Sequence, residues 1–206
     1  MVKRAFDMVL ATIALVVLAP LLTAVAVVVR IDAGGPVLFR QERSGRGGAP
    51  FALVKFRTMT VDDSPVWDPA RDVARVTRSG RALRATSLDE LPSLVNVVRG
   101  EMSLVGPRPL PVQYLPRYDD HQARRLEVRP GITGWAQVNG RNATTWDERL
   151  AMDVWYVDHR TLRLDLRILV ATVRAVLARK GIDQGAGITM SEFTGSDGRA
   201  HDEDGS

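Results

Sequence analysis

The chain has 206 residues, 45% of them apolar, which fits one domain able to bury a core without crosslinks. It contains no cysteine, so disulfides, thiolate metal sites and cysteine nucleophiles are excluded together, and any metal chemistry would rest on carboxylates. A net charge of +4 and a pI near 9.9 favour an anionic partner, whether nucleic acid, a phosphorylated small molecule or an anionic lipid surface.

Residues 8–29 carry no charge, and about 20 apolar residues are what a helix needs to cross a hydrocarbon core at ~1.5 Å per residue. A cleaved secretory signal competes, because Ala24-Val25-Ala26 follows a basic start at Lys3 and Arg4, but the apolar run continues past that site. Pro20 sits near the middle, where it deletes a backbone hydrogen bond and costs about 3 kcal/mol if the helix stays straight. Basic residues flank both ends, Lys3 and Arg4 before and Arg30 after, so the positive-inside tendency holds both ends on the cytoplasmic side. The expectation is a re-entrant, Pro-broken helix over residues 3–30. A simple span competes with it, since membrane helices tolerate proline.

Residues 33–36 mark a turn, after which 37–39 and 51–54 read as two short strands of a hairpin around the glycine-rich loop 44–50. That loop lacks the spacing of a phosphate-binding P-loop. Residues 62–72 are polar with scattered prolines and read as a surface loop. In TSLDELP at 86–92, Ser87 and Glu90 have capping-box spacing, and Asp89 and Glu90 fall where a helix dipole favours acids. This local reading implies no function.

Residues 146–158 are helical in pattern, and a second helix begins near Leu162. Leu162, Leu166, Leu169, Val170, Val173 and Leu177 recur at helical spacing, and its other side carries Arg163, Arg167 and Arg174. Such a basic amphipathic helix suits a bilayer interface, as it suits the half-buried surface of a globular domain. The tail from Gly181 is polar and glycine-rich and is expected to be poorly ordered.

The three histidines, at 121, 159 and 201, have no metal-site spacing, and no serine nucleophile elbow is present. Carboxylates remain. Asp89 and Glu90 suit Mg²⁺ shared with substrate phosphates, and an aspartate can attack phosphorus to give an acyl phosphate. An anionic nucleophile meets an anionic diphosphate only where cations neutralise the oxygens. Candidates are Lys55 and Arg57 in KFRTM, Arg84, Arg108 between two prolines, and Arg129 and Arg141 around PGITGWAQVNG.

KRAFD at 3–7, GPVLFRQER at 35–43, KFRTM at 55–59, SLDELPSLVNVVRGEMSLVGPRP at 87–109 and RPGITGWAQVNGRN at 129–142 together resemble the bacterial sugar transferases. These are small monotopic polyprenyl-phosphate phosphoglycosyl transferases. The resemblance covers roughly residues 3–180. It implies transfer of a sugar 1-phosphate from a UDP-sugar to a polyprenyl phosphate such as undecaprenyl phosphate, with release of UMP. It also implies a Mg²⁺-dependent, ping-pong reaction through a phosphosugar on Asp89, with Glu90 helping in metal or proton handling, Asp153 near the metal, and Lys55, Arg84 and Arg108 in the basic part of the site. Pro20 matches the helix break of the family's re-entrant segment.

The expected fold is α+β: a mostly helical small domain with a short β-hairpin, a re-entrant membrane helix and amphipathic interfacial helices. Its parts would be a membrane helix at 1–31, a catalytic domain at 32–180 on the cytoplasmic face of the bacterial inner membrane, and a flexible tail at 181–206. The expected partners are a UDP-sugar, polyprenyl phosphate and membrane lipids, with a homodimer possible and no nucleic acid, since aromatic content is only 6%. Two alternatives stand beside this reading. One is a membrane-anchored phosphate or lipid binder without catalysis, and the other is a transferase that moves the sugar alone and releases UDP.

Overall fold

The computed structural model describes residues 2–60, 74–140, 144–178 and 192–195. The surface loop expected at 62–72, the candidate cation Arg141 and most of the tail lie outside them.

The chain opens with α1, Val2–Asp32, a single helix that contains Pro20 and carries Arg30 in its last turn, where a cation suits the dipole. It is the one helix among the described residues long and apolar enough to cross a membrane by length and composition, and only 11% of its most apolar window is buried. Val16 and Val17 are about 70% and 69% exposed, a degree of apolar exposure that fits contact with lipid rather than water. Two stretches of α1 do pack inward. Ala11, with Leu10, Ala14 and Leu15, joins the main core, while Val25 and Val29 join Phe56 and Leu83 in a second cluster.

Polar contacts fix both ends of α1. Lys3 reaches Asp165 at 2.6 Å, and buried Asp7 accepts from the Ser103 hydroxyl at 2.7 Å. Arg4 donates to the carbonyls of Val97 and Val98 at 2.5 and 3.0 Å. At the far end, Asp32 accepts from the Ser79 amide at 2.8 Å. The basic start of the chain is therefore engaged by the globular domain itself.

The hairpin is present with longer strands than expected: β1, Leu38–Ser44, pairs antiparallel with β2, Pro50–Phe56. The alternation was hidden in β1 because Arg40, Gln41, Glu42 and Arg43 place polar groups on both faces. Helix α2, Arg78–Thr86, is capped by the Thr77 hydroxyl and ends at Ser87, a non-glycine residue in the left-handed region at φ 56°. The expected capping box does not form. Ser87 serves as the C-cap of α2, its amide bonded to Arg84, and its side chain caps nothing. A 3-10 turn, Leu88–Ser93, follows directly and runs into α3, Leu94–Arg99.

Asn96 seats α3 on the open edge of β2. Its amide nitrogen donates to Ala52 at 2.8 Å and to Glu101 at 2.6 Å, and its oxygen accepts from the Val54 amide at 3.1 Å. A fully buried carboxamide thereby satisfies strand groups that would otherwise be orphaned.

A second, parallel sheet joins β3, Ser103–Val105, to β4, Gly131–Thr133, a pairing with no local sequence signal. It clamps the Gly-Pro-Arg-Pro turn: Gly106 donates to Thr133 and Gly131 to Pro107, each at 2.9 Å. A Cβ on Gly131 would fall 2.1 Å from the Gly106 nitrogen, so only glycine permits this approach. Short helices α4, Asp120–Ala123, and α5, Trp135–Asn139, precede α6, Trp146–His159, and α7, Leu162–Leu177, both where the apolar spacing put them. In the core beneath them the Tyr156 hydroxyl donates to Asp165 at 2.6 Å.

Candidate active site

Three elements bring charged groups to one place. The inward face of β2 carries Lys55, the 3-10 turn carries Asp89 and Glu90 in its first turn, and the clamped turn after β3 carries Arg108. Their convergence follows from packing: β2 lies against the 3-10 turn, and the β3–β4 pairing fixes where Arg108 leaves the sheet.

The two acids have different surroundings. Glu90 Oε1 lies 2.5 Å from Arg108 Nη2 and 3.2 Å from Lys55 Nζ, and its Oε2 lies 3.4 Å from Arg108 Nη1. Burial opposes its ionisation, but the charges of Arg108 and Lys55 outweigh burial and hold the carboxyl at about 2. Asp89, one residue earlier, accepts no hydrogen bond and joins no ion pair among the described residues. Burial, and then the charge of Glu90, push its pKa upward, against the pull of Lys55, Arg108 and Arg84. One carboxylate anchors the cations and its neighbour stays free. Neighbouring titratable groups driven apart in this way are what acid, base or nucleophile roles require.

The cations are equally specific. Burial lowers Lys55 against the attraction of Glu90, and Glu90 raises Arg108. Arg84, in the last turn of α2, donates to the Thr58 hydroxyl at 3.0 Å and acts on Asp89 through its charge. Arg57 has a buried Nε without a hydrogen-bond partner among the described residues. A cavity of about 20 Å³, room for roughly one water-sized particle, is lined by Arg43, Lys55, Glu90, Ser93 and Arg108.

Two residues expected at the site lie elsewhere. Asp153, expected near a metal, is paired instead with Arg125 at 2.7 and 3.1 Å, both side chains almost fully enclosed at 6% and 2% exposure. Burial raises Asp153, and the opposing charges are Arg125 and Arg149, with neither Asp89 nor Glu90 among them. Arg125 also donates to the backbone carbonyl of Arg108 at 2.6 Å, so Asp153 bears on the site through that arginine. Arg129 donates to the Gly100 carbonyl at 2.7 Å, at the C-terminal end of α3. Arg141 lies outside the described residues, and Pro20 sits in α1, a membrane-helix feature rather than part of the site.

Arg43 and Arg125 were not singled out from the sequence. For Arg43 a signal existed: in a hairpin where Gln41 faces Leu53, alternation puts Arg43 on the face of Leu53 and Lys55. Arg125, in the 3-10 turn Arg124–Glu127, had none, because its partner is 28 residues away.

The described donor set does not enclose Mg²⁺ with protein ligands alone. Among the described residues no three acidic or histidine side chains converge, so an all-protein cage is absent there. Two adjacent carboxylates, one of them unengaged, do suit an ion that takes its other ligands from phosphate and water.

A largely exposed apolar helix joined to a domain that sets an acid pair among arginines and lysine is an arrangement suited to phosphate chemistry at a membrane. The family described as "Bacterial sugar transferase" matches residues 1–179, and the chain belongs to that family. The chain is 50% identical over 194 residues to the "Uncharacterized sugar transferase EpsL" of Bacillus subtilis (strain 168), covering 94% of this chain and 96% of that one. It is 45% identical over 189 residues to the "UDP-glucose:undecaprenyl-phosphate glucose-1-phosphate transferase" of Xanthomonas campestris pv. campestris, covering 86% of this chain but only 39% of the relative. A protein of the same description from Escherichia coli (strain K12) is 41% identical over 183 residues, covering 84% of this chain and 39% of its own length.

Proposed function

We propose that this protein is a phosphoglycosyl transferase that moves a sugar 1-phosphate from a UDP-sugar to a polyprenyl phosphate such as undecaprenyl phosphate, releasing UMP. It would act at the cytoplasmic face of the bacterial inner membrane, as the first membrane step in assembling a glycoconjugate such as an exopolysaccharide. Family membership and the descriptions of the relatives support the reaction class. The observation that carries the mechanism is the asymmetry of the acid pair: Glu90 is bound to Arg108 and Lys55, while Asp89 is unengaged among the same charges.

In the first half-reaction an Asp89 oxygen attacks the phosphorus that bears the sugar. The bond from that phosphorus to the bridging oxygen breaks, and its electron pair leaves on UMP. In the second half-reaction an oxygen of polyprenyl phosphate attacks the same phosphorus, the bond to Asp89 breaks, and the carboxylate is restored. One phosphoanhydride is broken and one is formed, so no ATP is needed.

Lys55, Arg84 and Arg108 offset the repulsion between carboxylate and diphosphate. Glu90 holds Arg108 and Lys55 in place, and Arg125 holds the Arg108 backbone. Asp89 and Glu90 would hold Mg²⁺, which when bound neutralises phosphate oxygens and the like charge between the two acids.

The tethering of α1 supports the re-entrant arrangement. A straight helix of that length spans roughly 46 Å, yet Lys3, Arg4 and Asp7 near one end and Asp32 at the other all bond to one globular domain.

Incubating the purified protein with Mg²⁺, undecaprenyl phosphate and a panel of UDP-sugars tests the proposal. UMP as the nucleotide product supports it. UDP would mean transfer of the sugar alone, and binding without turnover across the panel would leave a lipid or phosphate binder.

A further inference from the structure

Among the cations around the cavity, Lys55 and Arg108 already share Glu90 as their counter-ion. Arg43 lines the same cavity from β1 and has no carboxylate partner among the described residues. Of the five N–H groups of a guanidinium, its one acceptor there is Gln41 Oε1, at 2.5 Å from Nη2. Its Nε is buried and has no hydrogen-bond partner among the described residues. An enclosed cation with unmatched donors is costly to fold around, and its cost is recovered where an anion supplies the missing acceptors. The surroundings agree: burial lowers the pKa of Arg43 to about 10, and the neighbouring Arg108 adds to that, so the site is short of negative charge at this position.

We infer that Arg43 is a substrate-binding residue whose guanidinium receives phosphate oxygens of a nucleoside diphosphate beside Lys55 and Arg108. The inference rests on the proposed transferase reading for the identity of the substrate and goes beyond it in assigning the residue. The planar fork of arginine suits two phosphate oxygens at once, which neither Lys55 nor a Glu90-bound Arg108 offers in this arrangement. Arg43 would thus offer an arriving diphosphate a guanidinium that it meets without first displacing a carboxylate.

The test measures UDP binding by calorimetry on the full chain in detergent, for the wild type, Arg43→Met and Arg43→Lys. Arg40→Met is the control; it removes an equal charge from the exposed, opposite side of β1. Arg43→Met should weaken UDP binding about tenfold or more, the loss expected for a charge-assisted pair, and should raise the KM for the UDP-sugar by a similar factor with a smaller change in kcat. Arg43→Lys should fall between, and Arg40→Met should bind as the wild type does. Arg43→Met should melt no lower than the wild type, since it relieves an unpaired buried charge. If Arg43→Met fails to fold, the Arg43→Lys affinity decides.

UDP binding by Arg43→Met equal to wild type, or by Arg43→Lys in the fallback, would overturn the assignment while leaving UMP production to judge the transferase reading. Weakened UDP binding in a protein that releases no UMP would keep Arg43 as a phosphate-binding residue and reject the reaction.

Discussion

Arg125 donates to Asp153 at 2.7 and 3.1 Å, and the same guanidinium holds the carbonyl of Arg108 at 2.6 Å. This buried pair connects α6 to the turn that presents Arg108. Removing one partner of a buried ion pair leaves the other uncompensated and costs about 3–5 kcal/mol. Asp153→Ala should therefore lower the melting temperature sharply, to the same extent with and without Mg²⁺. A variant that melts normally but needs far more Mg²⁺ for turnover would instead return Asp153 to the metal.

Glu90 makes the fold sensitive to acid. Its folded-state pKa is held at about 2, below the ordinary 4.5, so its ion pairs contribute fully above the unfolded value and are lost as pH falls toward 2. Urea midpoints measured from pH 6 down to pH 2 should drop more steeply for the wild type than for Glu90→Gln. Parallel curves for the two proteins would show that the pairing with Arg108 and Lys55 contributes nothing.

Asp89 has the opposite sign. Its pKa is raised in the folded state by burial and by Glu90, so the fold is favoured while the group is protonated, and that stabilisation is lost as pH rises through the folded pKa. At neutral pH, Asp89→Asn removes the cost of the enclosed charge. It should raise the melting temperature by a few degrees while cutting turnover by about 10³-fold or more, as loss of a nucleophile does. A destabilised variant would contradict the electrostatics of the pair.

Arg129 and Arg4 meet at the C-terminal end of α3, on the carbonyls of Gly100, Val97 and Val98. Cations there complete the orphaned end of the helix and suit its dipole. Arg129→Ala should cost about 1–2 kcal/mol in a denaturant titration, with the KM for the UDP-sugar unchanged. A raised KM at unchanged stability would restore Arg129 to the substrate.

The placement of α1 predicts its topology. Single cysteines at Val2 and Ala33, labelled in intact and permeabilised cells, should react from the same, cytoplasmic side. Reaction from opposite faces would mean a simple span.

Local pattern carried a large part of this molecule. The apolar run of α1, the spacing in α6 and α7, and the punctuation around the hairpin each lie within a window of a few turns, and the structure holds elements at those places. The acid pair and Arg108 were legible as chemistry, because carboxylates beside rigid cationic segments suggest phosphate handling before any coordinates exist. Pairings between distant segments were not legible. Arg129 was read as a site residue by type and Asp153 by resemblance, but their partners, Gly100 and Arg125, are brought to them by the tertiary fold. Ser87 shows the same limit at short range: its spacing to Glu90 fits a capping box, yet the abutment of α2 and the 3-10 turn puts it in the left-handed region instead.

The most direct measurement is intact and peptide mass spectrometry of the protein after brief incubation with Mg²⁺ and its UDP-sugar, with no polyprenyl phosphate present. A phosphosugar adduct on Asp89, formed with one UMP per adduct and discharged when undecaprenyl phosphate is added, is the predicted result. Undiminished turnover by Asp89→Asn, or an adduct on another residue, would contradict it.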